Sequence, residues 1–135
     1  MEPSQTDEIT RFVRGTLGCR CPDGVFQSIV IGEERTPDNR VPFTRLLVGD
    51  RLLIYVLPAS SAAMAPNTLA VLAGQGRAER DAKGYNRFRL VVASDDPAAQ
   101  AVAARAIFEH VVGHDEKAHL HLVIRGEIPM AIGSA

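Results

Sequence analysis

The stretch from Leu52 to Leu57 is apolar at every position, whereas the apolar residues around it alternate or recur every three to four residues. An unbroken apolar run predicts a central strand covered on both faces. The run RLLV precedes it across Gly49-Asp50, so the two form either a tight hairpin or one strand with a bulge. SIVIGEE, rich in branched residues, predicts an earlier strand from Ser28 to Glu34. NRFRLVVAS predicts a strand from Asn86 to Ala93, and HLHLVIRG a cleanly alternating one from Ala118 to Arg125.

Helical spacing appears in three places. Ile9, Phe12 and Val13 follow the capping candidates Ser4 and Thr6, with Asp7 and Glu8 suited to the positive end and Gly15 to the stop. A second helix is expected from Pro66 to Gly84, although Gly74 and Gly76 lower its intrinsic stability. The third starts at Ser94-Asp95-Asp96-Pro97, where caps, charge and proline agree, and runs to Val112 before Gly113. RTPDNRVPFT (35–44) reads as a surface loop, and EIPMAIGSA has no assigned element.

This order contains two successive strand–helix–strand units, which require parallel neighbours. It predicts a single α/β domain over residues 1–135, with a mixed sheet of about four to five strands, a βαβαβ C-terminal part and an N-terminal helix. The early strand is expected at or near an edge.

Composition narrows the functional classes. In 135 residues, 46% are apolar and 23% charged, the balance of an ordinary globular domain. A formal net charge of −1 and few aromatics give no footprint for nucleic acid. No apolar run reaches bilayer length, and the polar, acidic beginning is unlike a signal peptide, so a cytoplasmic protein with no membrane partner is expected.

The two cysteines stand together in TLGCRCPDGVF. Pro22 suits the first position of a helical turn, whose free N–H groups would favour the Cys21 thiolate, and Arg20 acts in the same direction. Cys21 is therefore the candidate activated sulfur and Cys19 its resolving partner, with inert packing as the alternative. In an extended chain, cysteines two apart sit at or beyond the roughly 4.4–6.8 Å range of alpha-carbon separations that a disulfide accepts, so a bond between them is the less natural outcome and would be a strained, readily reduced couple rather than a structural staple. A metal site would need further ligands from His110, His114, His119 and His121, and Gly113 interrupts the first two.

On the late strands, alternation puts Arg87 and Arg89 on one face, and His119, His121 and Arg125 on the corresponding face of the other. If the strands are neighbours, these residues form a basic patch on a partly open sheet face. Such a patch suits a small anionic ligand or an acidic protein, since guanidinium groups bind oxyanions bidentately. The alternative is a solvated face with cross-strand ion pairs.

Ligands of parallel sheets also favour the carboxyl ends of strands, here marked by Ser60, Ser61, Asp95 and Asp96. Capping is the simplest role for the two aspartates. No dinucleotide fingerprint, phosphate loop, nucleophile elbow or zinc-binding helix is present, and no cofactor is implied. Two classes of function remain. One is a small thiol protein handling redox or sulfur chemistry at GCRCP. The other is a binding or assembly module, expected as a homodimer, using the Arg/His face; a metal site from Cys19, Cys21 and histidines is a further alternative.

Overall fold

Strand β3 (Leu52–Leu57) is buried at all of its positions and forms the middle of a five-stranded sheet ordered β1-β2-β3-β4-β5. The computed structural model describes residues 3–38 and 40–132, without the side chains of residues 61 and 62. β1 (Ile29–Arg35) and β2 (Pro42–Val48) pair antiparallel, as do β2 and β3. β4 (Arg87–Ser94) and β5 (Ala118–Ile124) extend the sheet in parallel from β3, so β1 and β5 are its edges. The chain is a mixed α/β fold, as its pattern predicts.

Each parallel step is made through a helix. Between β3 and β4 lie the short α2 (Ser61–Met64) and the long α3 (Pro66–Lys83), and between β4 and β5 lies α4 (Pro97–Val112). Asp96 caps α4 by accepting from the Ala99 N–H at 3.2 Å. Because the strand order advances steadily, α3 and α4 share one face. There Leu69, Leu72, Ala73, Ala104 and Phe108 pack on Leu53, Tyr55, Phe88, Leu90 and Leu120.

The opposite face is covered by the N-terminal segment. α1 (Pro3–Arg11) continues into a wider turn (Phe12–Thr16), and Ile9, Phe12, Val13 and Leu17 bury against Leu52, Ile54, Val91 and Val123. The helical segment therefore passes the expected stop at Gly15: Phe12, Val13 and Leu17 all have apolar surface to bury. The C-terminal segment, unassigned from sequence, joins this layer through Ile128 and Ile132, and the Thr44 hydroxyl donates to the Ile132 carbonyl at 2.9 Å.

Gly49-Asp50 makes a hairpin, with both residues at positive φ (60° and 55°). A side chain at Gly49 would also lie 2.5 Å from Val25 Cγ1, so the turn seats directly on the segment that follows the cysteines. The loop expected over 35–44 is shorter than predicted, because Pro42, Phe43 and Thr44 belong to β2. Pro42 is tolerated as the first strand residue, where its missing N–H interrupts little of the ladder. Asn39 lies outside the described residues. No helix among those described is long and apolar enough to cross a membrane.

Candidate functional site: a cavity joining the cysteine pair to the arginine face

The chain leaves the N-terminal helical segment at Gly18, whose φ of +73° turns it sharply before the cysteines. The Cys19 N–H donates to the Val13 carbonyl at 3.1 Å, holding the turn against the helix. Arg14 Nη2 donates to the Cys21 carbonyl and to Asp23 Oδ1, both at 2.7 Å, while its guanidinium lies 4.9 Å from the centre of the Phe26 ring. The segment from residue 17 to 23 is thus fixed by main-chain and arginine contacts.

Within it Cys19 and Cys21 form a disulfide, with alpha carbons 5.4 Å apart. The sequence makes this bond the less natural outcome, yet the two sulfurs are paired. The chain at Arg20, the one residue between them, is bent away from full extension, which holds the alpha carbons within the range that a disulfide accepts. The helical turn expected after Cys21 is a short 3-10 helix (Asp23–Gln27), with Pro22 just before it. Activation of Cys21 by a helix start therefore has no full helix behind it, and nearby electrostatic help must come from side chains.

Those side chains are present. A cavity of about 400 Å³ is lined by Cys19, Arg20 and Cys21 on one side and by Arg51, Arg87, Arg89 and His119 on the other. The two separate sequence candidates thus meet in one place. Both cysteines are half-buried in its wall, with apolar core behind them, and Arg20 is exposed.

Arg89 is the most unusual group here. It is only 7% exposed, and Nη1 donates to the Leu17 carbonyl at 3.0 Å and meets His121 Nε2 at 2.8 Å. Its Nε has no partner among the described residues. Burial, then the neighbouring Arg87, draws its pKa below the ordinary guanidinium value. Arg87 Nη1 lies 3.3 Å from His119 Nε2 and contacts the Glu116 carbonyl at 3.5 Å.

Both histidines are consequently held neutral. Burial and then Arg89 push the pKa of His121 down to about 4, and the same two causes lower that of His119. An arginine offers only donors, so each Nε2 acts as acceptor and the ring proton sits on Nδ1. Among the described residues none of Arg20, Arg51, Arg87 and Arg89 forms an ion pair, and no carboxylate lines the cavity. The predicted cross-strand pairing to acids is absent from this set.

Three expectations change. Arg125 does not join the patch, because β5 ends at Ile124 and the chain turns away. Arg125 instead binds Asp95 through Nε and Nη2, both at 3.1 Å, and the Ala59 carbonyl at 3.1 Å. His121 stands behind Arg89 and lines a neighbouring groove with Arg105, Glu109, His114 and Asp115. The basic face is not an open one, since the cysteine loop and the N-terminal layer cover Arg89.

The cavity lies at the amino ends of β3 and β4, beside Leu52 and Arg87, rather than at the carboxyl ends. At the carboxyl ends Asp95 pairs with Arg125, Asp96 caps α4, and Ser60 Oγ accepts from the Ala63 N–H at 3.1 Å. The Ser61 side chain lies outside the described residues. Arg51 and Asn86 were missed from sequence. Their signal is the parallel register Leu52↔Arg87, which sets the hairpin turn beside the start of β4.

Among the described residues no group of three or more histidine, cysteine or acidic side chains could hold a metal ion. Both sulfurs are bonded to each other, and His110 and His114 are exposed on and beyond the end of α4. The arrangement can bind negative charge and present a disulfide to whatever is bound. Comparison of the chain with family models, curated proteins and solved structures finds no match.

Proposed function

We propose that this protein binds a small anionic ligand in the cavity between the cysteine loop and the amino ends of β3 and β4. The observation that carries this reading is Arg89: a buried guanidinium with a free Nε, among three further arginines and no acid. A buried cation without a carboxylate is costly, and an oxyanion held by the more accessible Arg20, Arg51 and Arg87 supplies the missing negative charge beside it. Arg87 lies on the same strand face, while Arg20 and Arg51 close over it from two loops.

The concave shape favours a small molecule over an extended acidic protein surface. Carboxylate and phosphate groups both match guanidinium geometry, and neutral His119 adds a ring that donates through Nδ1 or accepts through Nε2. Calorimetric titration of phosphate and of succinate into the protein tests the reading. Binding with a Kd of about 1 mM or tighter, weakened by salt and by Arg51→Gln, is expected. Arg51 is exposed, so its loss leaves folding intact, and unchanged binding in that variant together with Arg87→Gln would overturn the assignment.

A further inference from the structure

We infer that the anionic ligand of this cavity is a low-molecular-weight thiol, and that the protein exchanges its Cys19–Cys21 disulfide with it. This rests on the anion-binding reading and extends it to a reaction. The disulfide forms part of the same wall that carries Arg20, and Arg51, Arg87 and Arg89 face it across about 400 Å³. A thiol bound through its carboxylate is held beside a sulfur–sulfur bond.

The bond is poorly suited to a structural role. It spans only two positions of sequence, and the segment is already tied down by Cys19 N–H to Val13, Arg14 to Cys21 and Arg89 to Leu17. Both cysteines are accessible from the cavity, as attack requires. Where a compartment is reducing, the disulfides that occur are usually transient and catalytic or sensing.

The chemistry balances in two steps. A thiolate of the ligand, its proton released to solvent, attacks one cysteine sulfur along the S–S axis. The new bond is a mixed disulfide, and the electron pair of the broken bond leaves on the other cysteine as a thiolate, which the surrounding guanidinium groups stabilise. A second ligand thiolate attacks the ligand sulfur of the mixed disulfide, releasing oxidised ligand and the second cysteine thiolate. Two ligand thiols are oxidised to one disulfide, and the protein disulfide is reduced to two thiols. The reverse sequence regenerates the protein disulfide with an oxidised ligand.

The arginines predict charge selectivity. Rates of mixed-disulfide and dithiol formation are measured by quenched mass spectrometry with thioglycolate, 2-mercaptoethanol and cysteamine. Each is divided by its rate with the oxidised peptide TLGCRCPDGVF, which removes the intrinsic reactivity of the thiol. Thioglycolate is expected to exceed cysteamine by about tenfold or more on this scale. The preference should collapse near 1 M salt, where the screening length is about 3 Å. Equal ratios for the three thiols would overturn the exchange proposal. If phosphate still binds in that case, the anion-binding reading stands alone; if neither is observed, both fall.

Discussion

Arg89 Nη1 donates to the carbonyl of Leu17, 72 residues earlier in the chain, across 3.0 Å. That bond joins β4 to the start of the cysteine loop, so the same side chain closes the cavity and charges it. Arg89→Met separates the two roles. The variant leaves a buried carbonyl without its donor, a loss of about 1–3 kcal/mol, partly offset by removal of a buried cation that has no acid partner. A modest net change in denaturant midpoint is expected. Phosphate at about 100 times its Kd should stabilise the native protein by about 2.7 kcal/mol and the variant by much less. Equal phosphate stabilisation in both proteins would remove Arg89 from the binding site.

Gly76 positions β4 from the other side. A methyl group added there would stand 2.0 Å from Cζ of the fully buried Phe88, so the ring or the helix must move. Gly76→Ala should destabilise the fold by about 1–3 kcal/mol in urea titrations, the usual scale of overpacking. Gly74 in the same helix is the internal control. Its added methyl would meet only Val111 Cγ1 at an ordinary 3.6 Å, so Gly74→Ala should stabilise by about 0.5–1 kcal/mol through helix propensity. Similar effects at both positions would contradict the close packing of α3 on Phe88.

These two glycines show where sequence reasoning reaches its limit. Both count only as helix-weakening residues in a one-dimensional pattern, because the reason for Gly76 lies in Phe88, which follows it on another element. The long elements were legible for the opposite reason: the apolar period of β3, the alternation of β5 and the Ser-Asp-Asp-Pro start of α4 are local signals. The candidate residues Cys19, Arg20, Cys21, Arg87, Arg89 and His119 were legible as two groups. Their meeting was not, since it depends on the N-terminal layer folding over the face that bears Arg89. Arg125 and the tail failed similarly, because a strand's last residue and a short apolar segment carry no periodicity to place them.

The neutral histidines give stability a definite pH dependence. His121 has a folded pKa of about 4, below its ordinary value of about 6.5. Burial, Arg89, His119 and Arg105 all act downward on it; on His119, burial, Arg89 and Arg87 act downward and Asp115 acts upward. Between about pH 6.5 and pH 4 the unfolded chain takes up protons that the folded protein refuses, so stability falls as pH falls. One fully effective site contributes at most about 1.4 kcal/mol per pH unit, and partial exposure reduces this. His121→Gln retains an acceptor for Arg89 and removes the titration. Urea midpoints for the variant should therefore drop less steeply from pH 7 to pH 5 than those of the native protein, and parallel curves would show that His121 is not held neutral.

The cysteine pair makes a prediction about stability that is independent of any ligand. A cross-link stabilises chiefly by restricting the unfolded chain, and the effect grows with the length of the segment it closes. Cys19 and Cys21 are separated by only two positions, and chain entropy assigns such a small loop about 1.5 kcal/mol. The loop also keeps its other anchors when the bond is absent, namely the Val13 carbonyl, Arg14 and Arg89. Cys19→Ser/Cys21→Ser should therefore fold with the native circular dichroism spectrum and lose no more than about 2 kcal/mol in urea, far from the collapse expected when a small scaffold loses a structural staple. A loss of about 4 kcal/mol or more, or failure to fold, would make the bond structural and remove the ground for expecting it to open during function.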